Sequence, residues 1–374
     1  MHDVREVVLK KKWYWLLGAV AALLAGILWY SFAGDSVKNA RDAKPGELLW
    51  KRRVGANSHL ATGPSDVVVS GNRVFCIGYG VWSPKGTLRA LDTATGKKVW
   101  STRDVLGRVY VIDGVGVFSQ SEAGTKFDIL DANTGKTLRS VDYGVGNPGG
   151  AITVAGDAVC VFGSDGCAVV DAKTNAEKWG RKGPLSWWPG TDGGAIFFCE
   201  GRGYALDSVS GNEMWSFTPK GPLSWASANE GTVLFYESNT IVHAVDSENG
   251  LEKWAVKTKA CVGEARIAHG RAYVLDIGAN AVHCLDLRDG SVVWTYPGGT
   301  GRHWGPLEVA GGALYVGCSD GNLYVIDTAN GALKWRFTAG SGVNGPAVSA
   351  DVAYFTAHDG YLYAVKAEPA GDAK

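Results

Sequence analysis

Short apolar runs, separated by turn residues, recur through most of the chain. Between residues 306 and 337 the runs read PLEVA, ALYVG, LYVID and LKWRF, and the residues between them include Gly, Asp, Ser and Asn. Runs of four to six residues rich in Val, Ile, Leu and Tyr predict short β-strands joined by hairpin turns. Similar groups recur every 36 to 41 residues from position 92 onward. A period of this length, with four antiparallel strands per unit, predicts the blades of a β-propeller.

One motif, Asp-x-x-x-Gly-x-x-x-Trp or a near copy of it, recurs with the same period. Its eight copies begin at Asp42, Asp92, Asp131, Asp171, Asp207, Asp246, Asp286 and Asp327. The Asp side chain can accept hydrogen bonds from the amides that follow it, and the Gly can take a positive φ. The motif therefore predicts the turn between the third and fourth strands of a blade.

The tryptophan of the motif falls on the outermost strand, where it can pack against the next blade. Burying about 150–250 Å² of such a ring at about 25 cal/mol per Å² stabilises a junction by several kcal/mol, before the entropy lost by the ordered side chain is subtracted. We therefore interpret seven tryptophans as structural blade-docking residues: Trp50, Trp100, Trp179, Trp215, Trp254, Trp294 and Trp335. The third copy, from Asp131 to Leu138, is interpreted as shortened and lacking its tryptophan, and the fourth has Asn175 in place of Gly. We expect the junction after the third copy to be the weakest.

Both ends of the repeat array are incomplete in complementary ways. The last unit, from residue 353, has its second and third strands and then ends without the motif, whereas the first motif supplies a fourth strand with no strands before it. Pairing the two fragments would remove two exposed strand edges. We therefore predict an all-β, eight-bladed β-propeller of four-stranded antiparallel blades over residues 42–368. Strand 46–53 closes it by pairing with 361–365, and residues 369–374 form a C-terminal tail.

An uncharged segment precedes the propeller. Residues 13–32, WYWLLGAVAALLAGILWYSF, follow three lysines and would form a helix about 30 Å long, enough to span a bilayer. The aromatic residues at its two ends are typical of membrane interfaces. A cleaved signal peptide is the alternative interpretation, because residues 31–33 resemble a cleavage site. We favour an uncleaved signal-anchor helix, with residues 1–12 as a cytoplasmic tail, 33–41 as a linker and the propeller on the exported side, periplasmic or extracellular.

The fourth strand of a blade starts on the face that carries the turns between third and fourth strands. Since the chain enters such a strand about ten residues after the predicted span, and ten residues reach at most about 35 Å, we expect this face to lie toward the bilayer.

Charge and cysteine usage exclude several function classes. Lys plus Arg and Asp plus Glu number 37 each, which removes the basic excess expected of a nucleic-acid-binding protein. The seven cysteines are separated and show no C-x-x-C spacing, so we expect neither a disulfide framework nor a zinc site. The seven histidines lack metal-ligand spacing, so no metal site is expected. GVGNPGG (144–150) and GCSDG (317–321) match short catalytic or nucleotide-binding patterns, but both fall on predicted strand connections rather than before a helix.

The motif, as in ALDTATGKKVW (90–100), resembles the tryptophan-docking motif of PQQ-like repeat propellers, and the resemblance covers residues 42–366. Within that family it is most similar to the BamB-type proteins, propeller components of the outer-membrane barrel assembly machinery. The resemblance implies a propeller without catalysis that binds protein partners in the cell envelope, such as those of that machinery. The quinoprotein dehydrogenases of the same superfamily bind PQQ and calcium against a pair of adjacent cysteines. This sequence has no such pair, and no cofactor is expected.

Several aromatic and basic residues fall outside the motif register, in predicted connections at one end of the ring. They are Trp82, Trp187, Trp188, Trp225, Arg302, His303 and Trp304. Tryptophan and arginine are enriched in binding hot spots, so we predict that these residues rim the channel mouth and bind a partner; packing beneath neighbouring loops is the alternative. The sequence thus favours a membrane-anchored, non-catalytic scaffold of the cell envelope, in outer-membrane protein assembly or as an accessory subunit. A PQQ-dependent quinoprotein oxidoreductase and a ligand-sensing ectodomain are the alternatives.

Overall fold

The computed structural model describes residues 37–55, 67–79, 85–112, 116–120, 126–145, 152–174, 176–183, 189–259, 265–298 and 307–369. In these ranges the regular structure is all β, in 31 strands. No helix long and apolar enough to cross a bilayer occurs in the part of the chain so described. The predicted anchor at 13–32 lies outside it.

The strands form an eight-bladed propeller of four-stranded antiparallel blades, as the repeats predict. Six blades are separate sheets, and two share one seven-stranded sheet. Within a blade we name the strands A, B, C and D, from the centre of the ring outward. The A strands of neighbouring blades contact each other around the centre.

The strand bounds follow the repeats. Blade 1 has β2 (Val68–Ser70), β3 (Arg73–Tyr79), β4 (Gly86–Asp92) and the first part of β5 (Lys98–Ile112); blade 2 has the rest of β5, β6 (Gly116–Gln120), β7 (Lys126–Leu130) and β8 (Thr137–Asp142). Blade 3 has β9 (Ile152–Ala155), β10 (Ala158–Gly163), β11 (Gly166–Asp171) and β12 (Glu177–Lys182); blade 4 has β13 (Gly190–Asp192), β14 (Ala195–Glu200), β15 (Arg202–Asp207) and β16 (Glu213–Phe217). Blade 5 has β17 (Leu223–Asn229), β18 (Thr232–Glu237), β19 (Ile241–Asp246) and β20 (Glu252–Lys257); blade 6 has β21 (Arg266–Ala268), β22 (Arg271–Asp276), β23 (Ala281–Asp286) and β24 (Val292–Pro297). Blade 7 has β25 (Glu308–Ala310), β26 (Ala313–Gly317), β27 (Asn322–Asp327) and β28 (Leu333–Thr338); blade 8 has β29 (Ala347–Ser349), β30 (Val352–Thr356), β31 (Tyr361–Lys366) and β1 (Leu48–Arg53).

Blade 8 is built from both ends of the chain. Its D strand, β1, pairs antiparallel with β31, with Leu48 opposite Val365 and Arg53 opposite Tyr361. Backbone hydrogen bonds of 2.9 Å from Gly46 to the carbonyl of Lys366 and from Lys366 to that of Glu47 extend this pairing to the turn. The ring is therefore closed by hydrogen bonds between the two termini of the repeat array.

The hydrophobic core is divided among the junctions between blades. In one cluster, Phe75 and Leu88 of blade 1 pack with Val117 and Leu130 of blade 2, and comparable clusters fill the other junctions. The B and C strands are buried on both faces because each blade is covered by two neighbours, which explains their nearly continuous apolar runs. Stability thus depends on blade-to-blade packing and on the residues that hold each junction together.

Candidate functional site

The motif tryptophans hold neighbouring blades together in one repeated geometry. In six of the seven, the indole Nε1 donates a hydrogen bond to the carbonyl of the residue that follows the motif Asp of the next blade. The pairs are Trp50 to Thr93 (2.9 Å), Trp100 to Ala132 (2.9 Å), Trp179 to Ser208 (3.1 Å), Trp215 to Ser247 (3.0 Å), Trp254 to Leu287 (3.0 Å) and Trp294 to Thr328 (3.0 Å).

The motif glycine of the next blade lies against the face of the same ring. A Cβ added at Gly331 would meet the Trp294 ring at 2.8 Å, and one at Gly135 would meet the Trp100 ring at 2.5 Å. Both glycines have positive φ, +73° and +69°. The motif glycine is therefore required twice, by the backbone conformation of the turn and by the close approach of the indole.

The motif Asp fixes the turn that carries this glycine. The Asp207 carboxylate accepts hydrogen bonds from the amide and the hydroxyl of Ser210, both at 2.7 Å. Asp131 does the same with Thr134, at 2.7 and 2.8 Å. The side-chain hydrogen bond is the main cause that lowers the pKa of each carboxyl. Asp, Gly and Trp thus form one structural unit, and a functional site must be sought outside it.

The junction between blades 2 and 3 differs, and the structure corrects the sequence interpretation here. The third motif copy is full length, because Arg139 pairs with Ile129 as Trp100 pairs with Ala90. Arg139 therefore occupies the tryptophan position, and its guanidinium lies 3.5 Å from the carbonyl oxygen of Lys173 in blade 3. Leu138, predicted as the shortened end of the motif, is instead 57% exposed. Leu138 is exposed because neighbouring residues of a strand point to opposite faces, and Arg139 points toward blade 3.

The junction between blades 7 and 8 takes its parts from both termini. The Trp335 Nε1 donates to the Glu368 carboxylate at 2.7 Å rather than to a backbone carbonyl. The ring lies against Gly46, 3.3 Å from the position of an added Cβ. Glu368 is held in turn by Lys334 at 3.4 Å and by the hydrogen bond of its amide to the Tyr315 hydroxyl at 2.8 Å. Glu368 has no counterpart in the repeat and was not singled out from the sequence.

The residues predicted at the channel mouth fall into two groups. Trp82, Trp187, Trp188, Arg302, His303 and Trp304 lie outside the described residues. The strands that flank them show which connections they belong to: 184–188 joins blade 3 to blade 4, 299–306 joins blade 6 to blade 7, and 80–84 joins strands B and C of blade 1. We call the end of the ring that carries the D-to-A and B-to-C connections the loop face.

Trp225 is the one predicted mouth residue within the described part of the chain, and its position differs from the prediction. It lies inside β17, the A strand of blade 5, rather than in a connection. Its half-buried side chain packs against the apolar cluster between blades 5 and 6. The strand starts early, at Leu223, because β17 pairs with β18 from Leu223 onward through a bulge before Ala226. Trp225 is therefore at least partly a packing residue.

An arginine–tyrosine cluster lies at the junction of blades 3 and 4, near the loop face. The guanidinium carbons of Arg181 and Arg202 lie 4.9 and 4.7 Å from the centre of the Tyr204 ring. Arg202 also donates a hydrogen bond of 2.7 Å to the Tyr204 hydroxyl, which is the main cause that raises the pKa of Arg202. Glu200 lies 3.4 Å from Arg181. The sequence does not reveal this cluster, because Arg181 and Tyr204 meet only once two blades are packed together.

Blade 5 carries a buried histidine between two carboxylates. The Nδ1 atom of His243 is 2.7 Å from Glu252 and the Nε2 atom is 2.8 Å from Glu237. The ring also contacts Phe217 of blade 4, at 5.4 Å between ring centres. The three polar residues belong to strands β18, β19 and β20, so this group joins three strands of one blade.

The cysteines behave as small core residues. The six within the described ranges are buried and form no disulfide with one another. Burial raises the pKa of Cys76 and Cys160 to about 12 and that of Cys167 to about 11. Such thiols stay protonated and unreactive at neutral pH. Over the same ranges, no three His, Cys, Asp or Glu side chains come together in a way that could hold a metal ion. The GCSDG segment (317–321) forms the connection between β26 and β27, where Asp320 accepts a hydrogen bond of 2.7 Å from the Tyr324 hydroxyl.

Comparison with known proteins identifies one family. A family model described as outer membrane protein assembly factor BamB matches residues 38–186 and 278–370. No curated protein sequence matches the chain.

Three solved structures illustrate the fold similarity. BamB from Moraxella catarrhalis is 14% identical, with a TM-score of 0.65, over 85% of this chain and 99% of that one. The computationally designed protein Ika8 is 15% identical, with a TM-score of 0.68, over 84% and 99%. A europium-containing methanol dehydrogenase is 16% identical, with a TM-score of 0.64, over 85% of both chains. At these identities the likeness establishes the fold alone.

Proposed function

Since this chain belongs to the family of the outer membrane protein assembly factor BamB, we propose that it is a non-catalytic propeller scaffold of the cell envelope. Its partners are proteins, either of the barrel assembly machinery or of another envelope complex in which it is an accessory subunit. The family match carries the proposal, because it covers both ends of the repeat array, residues 38–186 and 278–370, and so includes the strands that close the ring.

The internal chemistry of the repeats supports a scaffold. The motif Asp, Gly and Trp residues are used in turns and blade contacts, and the thiols described above are buried in the core. Six of the seven predicted mouth residues belong to connections of the loop face and lie outside the motif register. We propose that Trp82, Trp187, Trp188, Trp225, Arg302, His303 and Trp304 contribute to the partner surface there.

Membrane attachment is the second part of the proposal. Residues 13–32 are uncharged and long enough to span a bilayer as a helix, and we propose that they remain as a signal-anchor. Residues 1–12 then stay in the cytoplasm and the propeller lies on the exported side.

Affinity purification of the full chain from detergent-solubilised membranes tests the scaffold. We expect barrel assembly components, or the subunits of one envelope complex, to co-purify in stoichiometric amounts. The double variant Trp187→Ala and Trp188→Ala should lose the partner. The matched control is Leu251→Ala, a residue 69% exposed at the opposite end of the ring, and it should retain the partner. Equal recovery with both variants would contradict the assignment of the partner surface, and a monomeric chain without partners would contradict the scaffold.

A quinoprotein oxidoreductase is the second candidate, favoured by the structural likeness to a europium-containing methanol dehydrogenase. The residues of this chain do not fit that cofactor. Cys160 and Cys167 share a core cluster, but they are separate buried thiols on adjacent strands rather than a bonded neighbouring pair, and the described residues bring together no metal-binding group. Titration of the full chain with PQQ plus calcium or europium decides the matter, since saturable binding with dye-linked alcohol oxidation would overturn the scaffold.

A further inference from the structure

The face of the ring opposite the loop face has a basic side and an acidic side. We call it the turn face, because it carries the A-to-B turns and the C-to-D motif turns. One side of it, over blades 8, 1 and 2, carries exposed basic residues, which we call the basic arc. They are Lys38, Arg41 and Lys44 of blade 8, Lys97 and Lys98 of blade 1, and Lys136 of blade 2.

Three carboxylates of the motif turns in these blades are engaged within their own turns, whereas Asp42 of blade 8 is exposed. Glu47 pairs with Lys38, and the hydrogen bond from Lys38 is the main cause that lowers the pKa of Glu47. Asp92 accepts hydrogen bonds from the amide and hydroxyl of Thr95, at 2.9 and 2.6 Å, and Asp131 is bound to Thr134 in the same way. Hydrogen-bonded carboxylates keep their charge. The six basic residues of the arc nevertheless outnumber the four carboxylates of the same motif turns (Asp42, Glu47, Asp92 and Asp131), so these turns carry a net positive charge.

The opposite side of the turn face is acidic. In an eight-bladed ring, blades 4 and 5 lie across from blades 8 and 1. Their motif turns present exposed Glu213 and Glu248, where blades 1 and 2 present lysines. The turn face thus has a positive side and a negative side about one ring diameter apart.

The chain enters the structure on the positive side. The Lys38 amide donates a hydrogen bond of 2.9 Å to the Leu49 carbonyl, so the chain runs along the outer edge of β1 next to the motif turn of blade 8. Four residues, 33–36, separate Val37 from the predicted span. Even fully extended, they allow a distance of only about 17 Å. If residues 13–32 anchor the chain, blade 8 must lie close to the bilayer surface.

We propose that the basic arc is a docking surface for an anionic lipid bilayer and that it holds the propeller in a tilted orientation. Blades 8, 1 and 2 rest against the headgroups, the acidic side is repelled and raised, and the loop face is turned away from the membrane toward its partners. The inference rests on the proposed anchor, which holds blade 8 within about 17 Å of the span, so that the arc can reach the layer of about 8–10 Å in which surface charge acts at physiological salt.

Photo-crosslinking to lipid in nanodiscs tests this orientation with the full chain. A photoreactive residue replaces either Ala94 in blade 1 or Val209 in blade 4, two exposed residues at the same position of the motif turn. Nanodiscs contain phosphatidylcholine alone or mixed with phosphatidylglycerol. In the anionic nanodiscs we expect position 94 to crosslink to lipid at least about fivefold more than position 209, because each basic residue near an anionic surface adds attraction. Salt of about 1 M, where the Debye length is about 3 Å, should remove the preference.

Charge-reversal variants identify the residues responsible. The triple variant Lys97→Glu, Lys98→Glu and Lys136→Glu should abolish the preference for position 94. The control, Lys220→Glu, Lys257→Glu and Lys259→Glu, reverses three exposed lysines toward the loop face and should keep it. Equal crosslinking at both positions, or a preference unaffected by salt, would overturn the proposal even if the triple variant failed to fold. Failure of the chain to enter nanodiscs would instead overturn the anchor, and with it this inference, while leaving the partner-binding scaffold intact.

Discussion

Replacing the motif glycine Gly331 by alanine is the most direct test of blade docking. The new Cβ would lie 2.8 Å from Cδ2 of Trp294 and 2.9 Å from Cγ, closer than nonbonded carbon atoms tolerate. Either the indole or the turn must move. The indole is held by the hydrogen bond from its Nε1 to the Thr328 carbonyl, so moving it also weakens that bond.

Two effects contribute to the loss of stability, and a second glycine separates them. Alanine at a φ of +73° costs about 1–2 kcal/mol of backbone strain, and overpacking of the indole adds about 1–3 kcal/mol. Gly231 has nearly the same φ, +70°, but nothing lies within 4 Å of its added Cβ. Gly231→Ala therefore carries only the strain. We expect Gly331→Ala to lower the free energy of unfolding by about 1–3 kcal/mol more than Gly231→Ala.

Urea unfolding of the full chain in detergent, followed by circular dichroism so that the tryptophans are not the probe, gives the comparison. Trp294→Ala completes a double-mutant cycle, because Gly331→Ala should cost only the backbone strain once the ring is absent. Equal losses for Gly331→Ala and Gly231→Ala, or a coupling energy near zero between positions 294 and 331, would refute the account in which the glycine exists to admit the ring.

Three further predictions concern other parts of the ring. Arg139→Trp alone should raise the thermal midpoint little, because residue 175 is Asn where the other docking sites have Gly. Arg139→Trp combined with Asn175→Gly should raise it clearly. An equal gain from the single and the double variant would show that the tryptophan does not need the glycine at this junction. The hydrogen bond from Ser210 lowers the pKa of Asp207, so this carboxylate stabilises the fold above its unfolded pKa of about 3.9 and the stabilisation is lost as the pH falls below that value. Asp207→Asn should therefore flatten the acid dependence of the thermal midpoint, and an unchanged profile would contradict this. A Cys261→Ser variant removes the one cysteine outside the described residues. Its other thiols should not react with a thiol reagent at about pH 8 until urea unfolds the chain. Fast reaction of the folded chain would show that these thiols are accessible.

The sequence predicts the fold well because every blade repeats the same chemistry. The period of the motif predicts eight blades, and the positions of the tryptophans predict which residue packs each blade against the next. The two incomplete ends of the repeat array predict the closing strand. Each of these inferences depends on local patterns that recur and therefore check one another. The family resemblance read from the motif is confirmed by the family match.

The exceptions to the repeat were harder to predict. Arg139 is not predicted because the motif has a tryptophan at this position, although Arg139 lies eight residues after Asp131. Glu368 was missed because it replaces a backbone carbonyl, which leaves no trace in a sequence pattern. The Arg181–Tyr204 contact depends on packing between blades. Trp225 lies in a strand rather than a connection because strand ends depend on pairing partners, and the other predicted mouth residues stay predictions.

The closing strand also sets an order of events during synthesis. Arg53 and Tyr361 pair in blade 8, yet they are 308 positions apart in the chain (361 − 53). At about 5–20 residues per second, translation needs roughly 15–60 s between them. During this interval β1 has no partner, the docking site of Trp335 is incomplete, and seven blades can form only an open arc with two exposed edges. A chain held at a membrane by its first residues would spend that interval beside its insertion machinery, so we expect its yield to depend on whatever protects β1 until the last strand is made.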